Sequence, residues 1–279
     1  MASRDPRADI VDKDPFPQPK IRRIHSSESS SGSSMFTIED LQNMFAGKQA
    51  TPQPTGNKKI WEFSDIEKQH LGLATAAFTL ALGFIAVRGL SGISTLGMNT
   101  WLVTLLLAMP VMLFAVGPAF ILHEIGHKIV AKKYGCWAEF RASPGGLRFG
   151  IILAAITGWI FMAPGAVMVY GNTTKSQFGK VALAGPISNI ILWIIGIILI
   201  LLGLETSGTL TVQYAGNDKG MLWWWCVSNA GLALFNMIPL GPLDGRKIKH
   251  WSDFVFYFWF IICFSLVWFN ATSLSNLIG

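Results

Sequence analysis

From about residue 70 onward the chain is organised by long apolar runs rather than by the narrow amphipathic stripes of a soluble helix bundle. The first run spans Leu71 to Val87 and stops at Arg88. A short loop of small, uncharged residues (89–100) leads to a second run from Trp101 to Ala131, interrupted by Pro110 and Gly117–Pro118. At 1.5 Å per residue this run would reach roughly 46 Å, well beyond a hydrocarbon core of about 30 Å. A kinked or broken helix is therefore expected, with Pro118 near the start of its second half. Lys128, Lys132 and Lys133 close the run, and Gly135 reads as its C-terminal cap. Ala184–Leu204, Met221–Leu240 and Phe254–Leu277 are further candidate spans, with Trp223, Trp224 and Trp225 suited to an interfacial aromatic belt.

One stretch is ambiguous. Cys136–Leu147 reads as a polar connection, and residues 148–170 are apolar but rich in glycine and proline towards their end. The positive charges decide how to read it. If residues 148–170 do not cross, Arg141, Arg148, Lys175, Lys180, Arg246, Lys247 and Lys249 share one side with the N-terminal tail, leaving only Arg88 and Lys219 opposite. A crossing would send the later basic loops outward, against the positive-inside tendency. The pattern thus predicts an all-α polytopic membrane protein of about five to six transmembrane helices with a short membrane-inserted β or re-entrant segment. It also predicts a cytoplasmic N-terminus, an external C-terminus and residence in the cell membrane. No inverted repeat of the transporter kind is evident among the spans.

Residues 1–69 differ in kind. Lys/Arg and Asp/Glu are balanced there, prolines recur, and Ser26–Ser34 is nearly all serine, so the segment reads as a mostly disordered tail without a secretory signal. Thr37–Gly47 interrupts it with Ile38, Leu41, Met44 and Phe45 on one helical face, a short amphipathic helix. The whole chain is 51% apolar and 14% charged, with a mean hydropathy of +0.44, which fits a multi-pass membrane protein. Its net charge of +6 comes from basic residues beside the spans, so it carries topology information and does not point to nucleic acid. The lipid bilayer is the expected surrounding. Cys136, Cys226 and Cys263 form neither a disulfide framework nor a zinc-type spacing.

The chemistry is concentrated in the second run, which contains His123-Glu124-x-x-His127. On a helix the two imidazoles leave one face and can reach a single zinc ion at about 2.0–2.1 Å. Glu124 can serve as general base towards water activated by the metal. Ionisable groups inside a membrane are costly enough to be functional by default. A catalytic zinc takes a third protein ligand, and under the predicted topology Asp244 returns to the same membrane face as His127. Taken alone, Gly241-Pro-Leu-Asp-Gly245 also reads as an ordinary turn.

Together, His-Glu-x-x-His at the end of one span and Asn236-x-x-Pro-x-x-x-Leu243-Asp244-Gly245 after a later one resemble the site-2 protease family of intramembrane zinc metalloproteases. Ala184-Gly-Pro-Ile-Ser-Asn189 is similar to the family's Gly-Pro-x-x-Asn segment, and the likeness covers roughly residues 117–250. The resemblance implies one zinc per chain held by His123, His127 and Asp244, with Glu124 as base and acid. It implies a transmembrane protein as substrate and an active-site opening on the cytoplasmic side. By the same likeness Asn189 and Asn236 would hold an unwound substrate backbone or a developing oxyanion. Gly165, Ala166 and Val167 would belong to a membrane-inserted segment that adds a substrate strand. The metalloprotease domain would occupy residues 70–279, its core 101–250, and Glu205–Gly220 is too short for an inserted PDZ domain. Two other readings are a catalytically silent relative that binds membrane helices, and a metal or small-molecule transporter. Glu124 beside the ligand pair argues against both.

Overall fold

The computed structural model describes residues 62–205, 211–214 and 217–278. The expected amphipathic helix near 37–47 lies outside them. Ser64 begins the first helix by accepting a hydrogen bond from the Glu67 N–H, and α1 runs Asp65–Ala86. The helix therefore starts inside the stretch read as disordered tail: Asp65, Glu67 and Lys68 look like solvated charges in sequence, but Glu67 is buried. A 3-10 turn (Gly89–Ser91) and α2 (Gly92–Leu96) replace the expected loop, tied down where the Trp101 indole N–H donates to the Gly89 carbonyl.

Next comes α3, Met98–Lys133, one unbroken helix that contains both Pro110 and Pro118. The expected break is absent. Each proline removes a single N–H, and neighbouring helices pack α3 along its length, the condition under which such residues are tolerated in apolar bundles. Its end is as read from the sequence. Gly135 adopts φ 74°, its N–H bonds to the Lys132 carbonyl, and the Cys136 N–H bonds to that of Ala131, closing a Schellman motif.

The supposed polar connection holds β1, Trp137–Ala142, followed by α4, Pro144–Thr157, which Ser143 caps and Pro144 opens. The chain turns at Gly158 (φ 67°) and returns along α4. A Cβ on Gly150 would run into Met162, and one on Gly146 into the Ala163 carbonyl, so glycines let the two limbs approach. β2, Gly165–Tyr170, then pairs antiparallel with β1, from Ala142↔Gly165 to Trp137↔Tyr170. Both ends of residues 143–164 thus meet at one sheet, and α4 is a deep hairpin limb rather than a crossing. At 14 residues it spans about 21 Å, short of a hydrocarbon core.

Thr174 and Gln177 form a capping box that starts α5, Lys175–Leu201. β3 (Val212–Tyr214) and β4 (Asn217–Lys219) make a small hairpin before α6, Met221–Asn236. Gly220 offers no side-chain cap there, and the Glu205 carboxylate instead accepts from the Leu222 and Trp223 N–H groups. The expected aromatic belt is not formed by this element's tryptophans. Trp223 and Trp224 are buried in the core, and the Trp225 indole donates to the Leu192 carbonyl. α7 (Asp244–Trp251), α8 (Asp253–Thr272) and α9 (Leu274–Ile278) complete the chain.

The described residues include four helices long and apolar enough to cross a membrane: α1, α3, α5 and α8. With 16 residues α6 is shorter than read from the sequence, because the turn at 237–243 removes its last residues. The chain is an all-α polytopic membrane protein with a small two-stranded insertion. α3 lies against α1, α5 and α6, while α8 is largely exposed and presents Phe254, Ile261, Phe264 and Trp268 outward.

Candidate metal centre

One turn of α3 separates His123 from His127, so both rings leave the same face and meet edge to face, 4.7 Å between centroids. Asp244 is delivered by the turn between α6 and α7. A Cβ on Gly245 would collide with the Met237 carbonyl, so glycine at that position lets the turn close and carries Asp244 inward. Asp244 is buried, with its Oδ2 3.3 Å from His123 Nε2 and 3.0 Å from His127 Nε2.

The far side of each ring fixes its tautomer. His127 Nδ1 lies 2.7 Å from the Val181 carbonyl, which can only accept, so Nδ1 carries the proton. His123 Nδ1 lies 2.6 Å from Asn189 Oδ1. The orientation of that amide is set in turn, since Asn189 Nδ2 donates to the Ala119 carbonyl and to Asn229 Oδ1. Two Nε2 lone pairs and a carboxylate oxygen therefore converge, a donor set that could hold one metal ion. With ligand bonds near 2.0 Å, a tetrahedral zinc site has donor–donor edges of about 3.3 Å, close to the two separations seen here. A Cβ on Gly185 of α5 would stand 2.5 Å from both Nε2 atoms, so the absent side chain leaves their approach clear. Donor type, tautomer, spacing and clearance all fit zinc.

Glu124 lines the same cavity and receives no hydrogen bond from the described residues. Asp244 is held differently. Lys247 Nζ donates to the other carboxylate oxygen, Oδ1, at 2.9 Å. The cavity beside the donors measures about 40 Å³, room for roughly three or four waters at ~10–15 Å³ each. Asn236, Gly165, Ala166 and Val167 line it, as does Lys247. Among the described residues the other edge of β2 has no strand partner.

The structure brings His123, Glu124, His127 and Asp244 together and sets Asn236 and β2 around them. Asn189 is elsewhere: fully buried behind His123, with its amide engaged on both sides, it orients the imidazole instead of facing the cavity. Gly185, Lys247 and the Val181 carbonyl were not legible as parts of the site. Only Lys247 left a usable signal, its i,i+3 spacing from Asp244.

A second, larger chamber of about 1050 Å³ shares Phe78, Leu232 and Phe235 with the metal cavity. It runs between α1, the α4 hairpin and α6, and reaches Arg88 and Trp159 at the other end of α1.

Fold and site together define a polytopic membrane protein with a His-His-Asp group that could hold a metal and a carboxylate beside it. The Methanocaldococcus jannaschii protein named "Putative zinc metalloprotease MJ0611" is 40% identical over 160 residues, covering 56% of this chain and 75% of the relative. The chain belongs to that family of zinc metalloproteases. Bacillus subtilis YwhC, of the same designation, is 29% identical over 148 residues, 50% of this chain and 68% of its own. "Zinc metalloprotease MJ0392" of M. jannaschii is 30% identical over 128 residues, 46% of this chain and 30% of its own. No family model and no solved structure matches the chain.

Proposed function

We propose that the protein is an intramembrane zinc endopeptidase of the site-2 protease type, which hydrolyses a peptide bond in or near a transmembrane segment of another membrane protein. The observation that carries this reading is the convergence of His123, His127, Asp244 and Glu124 on one small cavity within a bundle of apolar helices. The family names of the relatives support the protease part, and the apolar chamber that shares Phe78, Leu232 and Phe235 with that cavity supports a membrane-embedded substrate.

When bound, zinc supplies Lewis acidity towards water and towards a scissile carbonyl. The chain's own groups do the rest. Glu124, free of other partners, takes the proton from the attacking water and returns it to the departing amine. Asn189 and Val181 keep both Nε2 atoms unprotonated and aimed at the metal. The unpaired edge of β2 supplies backbone N–H and C=O groups to an unwound substrate segment, and Asn236 faces it from α6. Phe78, Phe120 and Phe235 limit water around the reacting bond. The basic residues flanking the spans support a cytoplasmic N-terminus and a cytoplasmic active-site opening.

The test is to reconstitute the full chain in vesicles with a model single-span substrate and locate the cut by mass spectrometry. A cut within or beside the transmembrane segment is the expected result. Cleavage confined to a soluble tail far from the segment would contradict the intramembrane reading.

A further inference from the structure

Asp244 has two oxygens, and the structure treats them differently. Oδ2 faces both imidazoles, while Oδ1 accepts a hydrogen bond from Lys247 at 2.9 Å. Lys247 lies one turn further along α7, on the face that looks into the metal cavity, with its side chain 26% exposed against 6% for Asp244. Resting on the zinc reading above, we propose that Lys247 is a positioning residue that holds Asp244 to a single ligand oxygen.

The argument is one of coordination number. A carboxylate can bind a metal through one oxygen or both, and two oxygens with two imidazoles and a water would make five donors. A catalytic zinc site instead takes three protein donors and keeps the fourth position open. A charge-assisted bond to Oδ1 engages that oxygen and anchors the carboxylate plane. It also draws charge away from Oδ2, leaving the metal more electron-poor and its Lewis acidity greater. The i,i+3 placement on a short helix makes the contact a local one, set as soon as α7 forms. Neither imidazole can do this, because both approach from the Oδ2 side. Glu124, the other ionisable group on the cavity, repels the carboxylate and cannot replace the lysine.

The experiment uses the full chain in detergent with cobalt(II) as the metal probe, because four-coordinate cobalt absorbs visible light far more strongly than five- or six-coordinate cobalt. Wild type, Lys247→Met and Lys247→Arg are compared for cobalt content, visible spectrum and cleavage of a model transmembrane substrate. Wild type and Lys247→Arg should give the intense spectrum. Lys247→Met should keep its cobalt, give a weaker higher-coordinate spectrum, and lose about 10–100-fold in kcat/KM. An unchanged Lys247→Met spectrum overturns the role of Lys247 and leaves the zinc reading standing. Should Lys247→Met hold no cobalt, the arginine variant decides: a wild-type spectrum supports the proposal and a weakened one overturns it. Cobalt uptake that survives replacement of both His123 and His127 by alanine sinks the zinc reading and this inference together.

Discussion

The imidazoles of His123 and His127 are aimed by what lies behind them. Val181 and Asn189 hold the Nδ1 protons, and Asn189 is itself held by Ala119 and Asn229, so a chain of buried partners ends at a ligand nitrogen. Asn189→Leu keeps the volume and removes the acceptor, and zinc affinity should fall about 10–100-fold in a chelator competition. Unchanged affinity would show that packing alone holds His123. Gly185→Ala gives an opposed pair of effects: alanine favours the helix by about 1 kcal/mol, yet its Cβ would crowd both Nε2 atoms. Zinc binding should be lost while the metal-free protein unfolds no earlier. At this scale the sequence pointed to the three residues that the structure brings together, because His-x-x-x-His and an aspartate after a proline turn are spacings with a chemical meaning. It did not show Asn189 as a support or Gly185 as a clearance, since each acts on a histidine more than fifty residues away in the chain.

Between elements, a buried ion pair fastens α1 to the metal-bearing helix. Lys128 follows His127 directly, and its Nζ lies 2.6 Å from Glu67 Oε2, with side chains only 3% and 2% exposed. Glu67 Oε1 also accepts the Phe140 N–H, the Glu62 carbonyl accepts from Lys128, and the Phe63 ring lies 3.9 Å below the ammonium. Removing one member leaves an uncompensated buried charge, so Glu67→Leu or Lys128→Met should each cost about 3–5 kcal/mol. The double variant should recover much of that loss in thermal unfolding in detergent; additive losses would mean that the pair is not coupled. β2 offers a second test. Neighbouring residues on a strand point their N–H groups to opposite edges, so of Ala166→Pro and Val167→Pro one breaks the pairing with β1 and the other blocks the open edge. The open-edge variant should retain zinc and folding but stop cleavage; undiminished cleavage would exclude strand addition. The spans and the Gly135 cap were legible because apolar length and glycine punctuation carry them. β1 was not, since Glu139 and Arg141 read as solvated charges yet pair with each other. The start of α1 was hidden for the same reason, because Glu67 finds its partner 61 residues later.

Across the molecule, the chamber lies beside the small cavity at His123 and His127, and Phe78, Leu232 and Phe235 line both. Gly231 lines the chamber on α6, and nothing lies within 4 Å of a Cβ built on it. Gly231→Ala should therefore be tolerated, while Gly231→Trp should fill the passage, leaving zinc content intact and stopping cleavage of a transmembrane substrate. Full activity in the tryptophan variant would place the route elsewhere. The charge distribution favoured an insertion at residues 148–170, and in the structure the end of that stretch comes back to pair with β1. It could not reveal the chamber, whose lining comes from α1, the limb that follows α4, and α6, segments far apart in the chain. The central claim is that this site performs hydrolysis, and it is tested most directly by measuring zinc content and cleavage of a transmembrane substrate together, for wild type and Glu124→Gln. Both proteins should hold about one zinc, with cleavage by wild type alone. Equal cleavage by both would contradict the role of Glu124. Zinc in both with no cleavage by either would favour a silent family member, and a folded wild type without metal would refute the site itself.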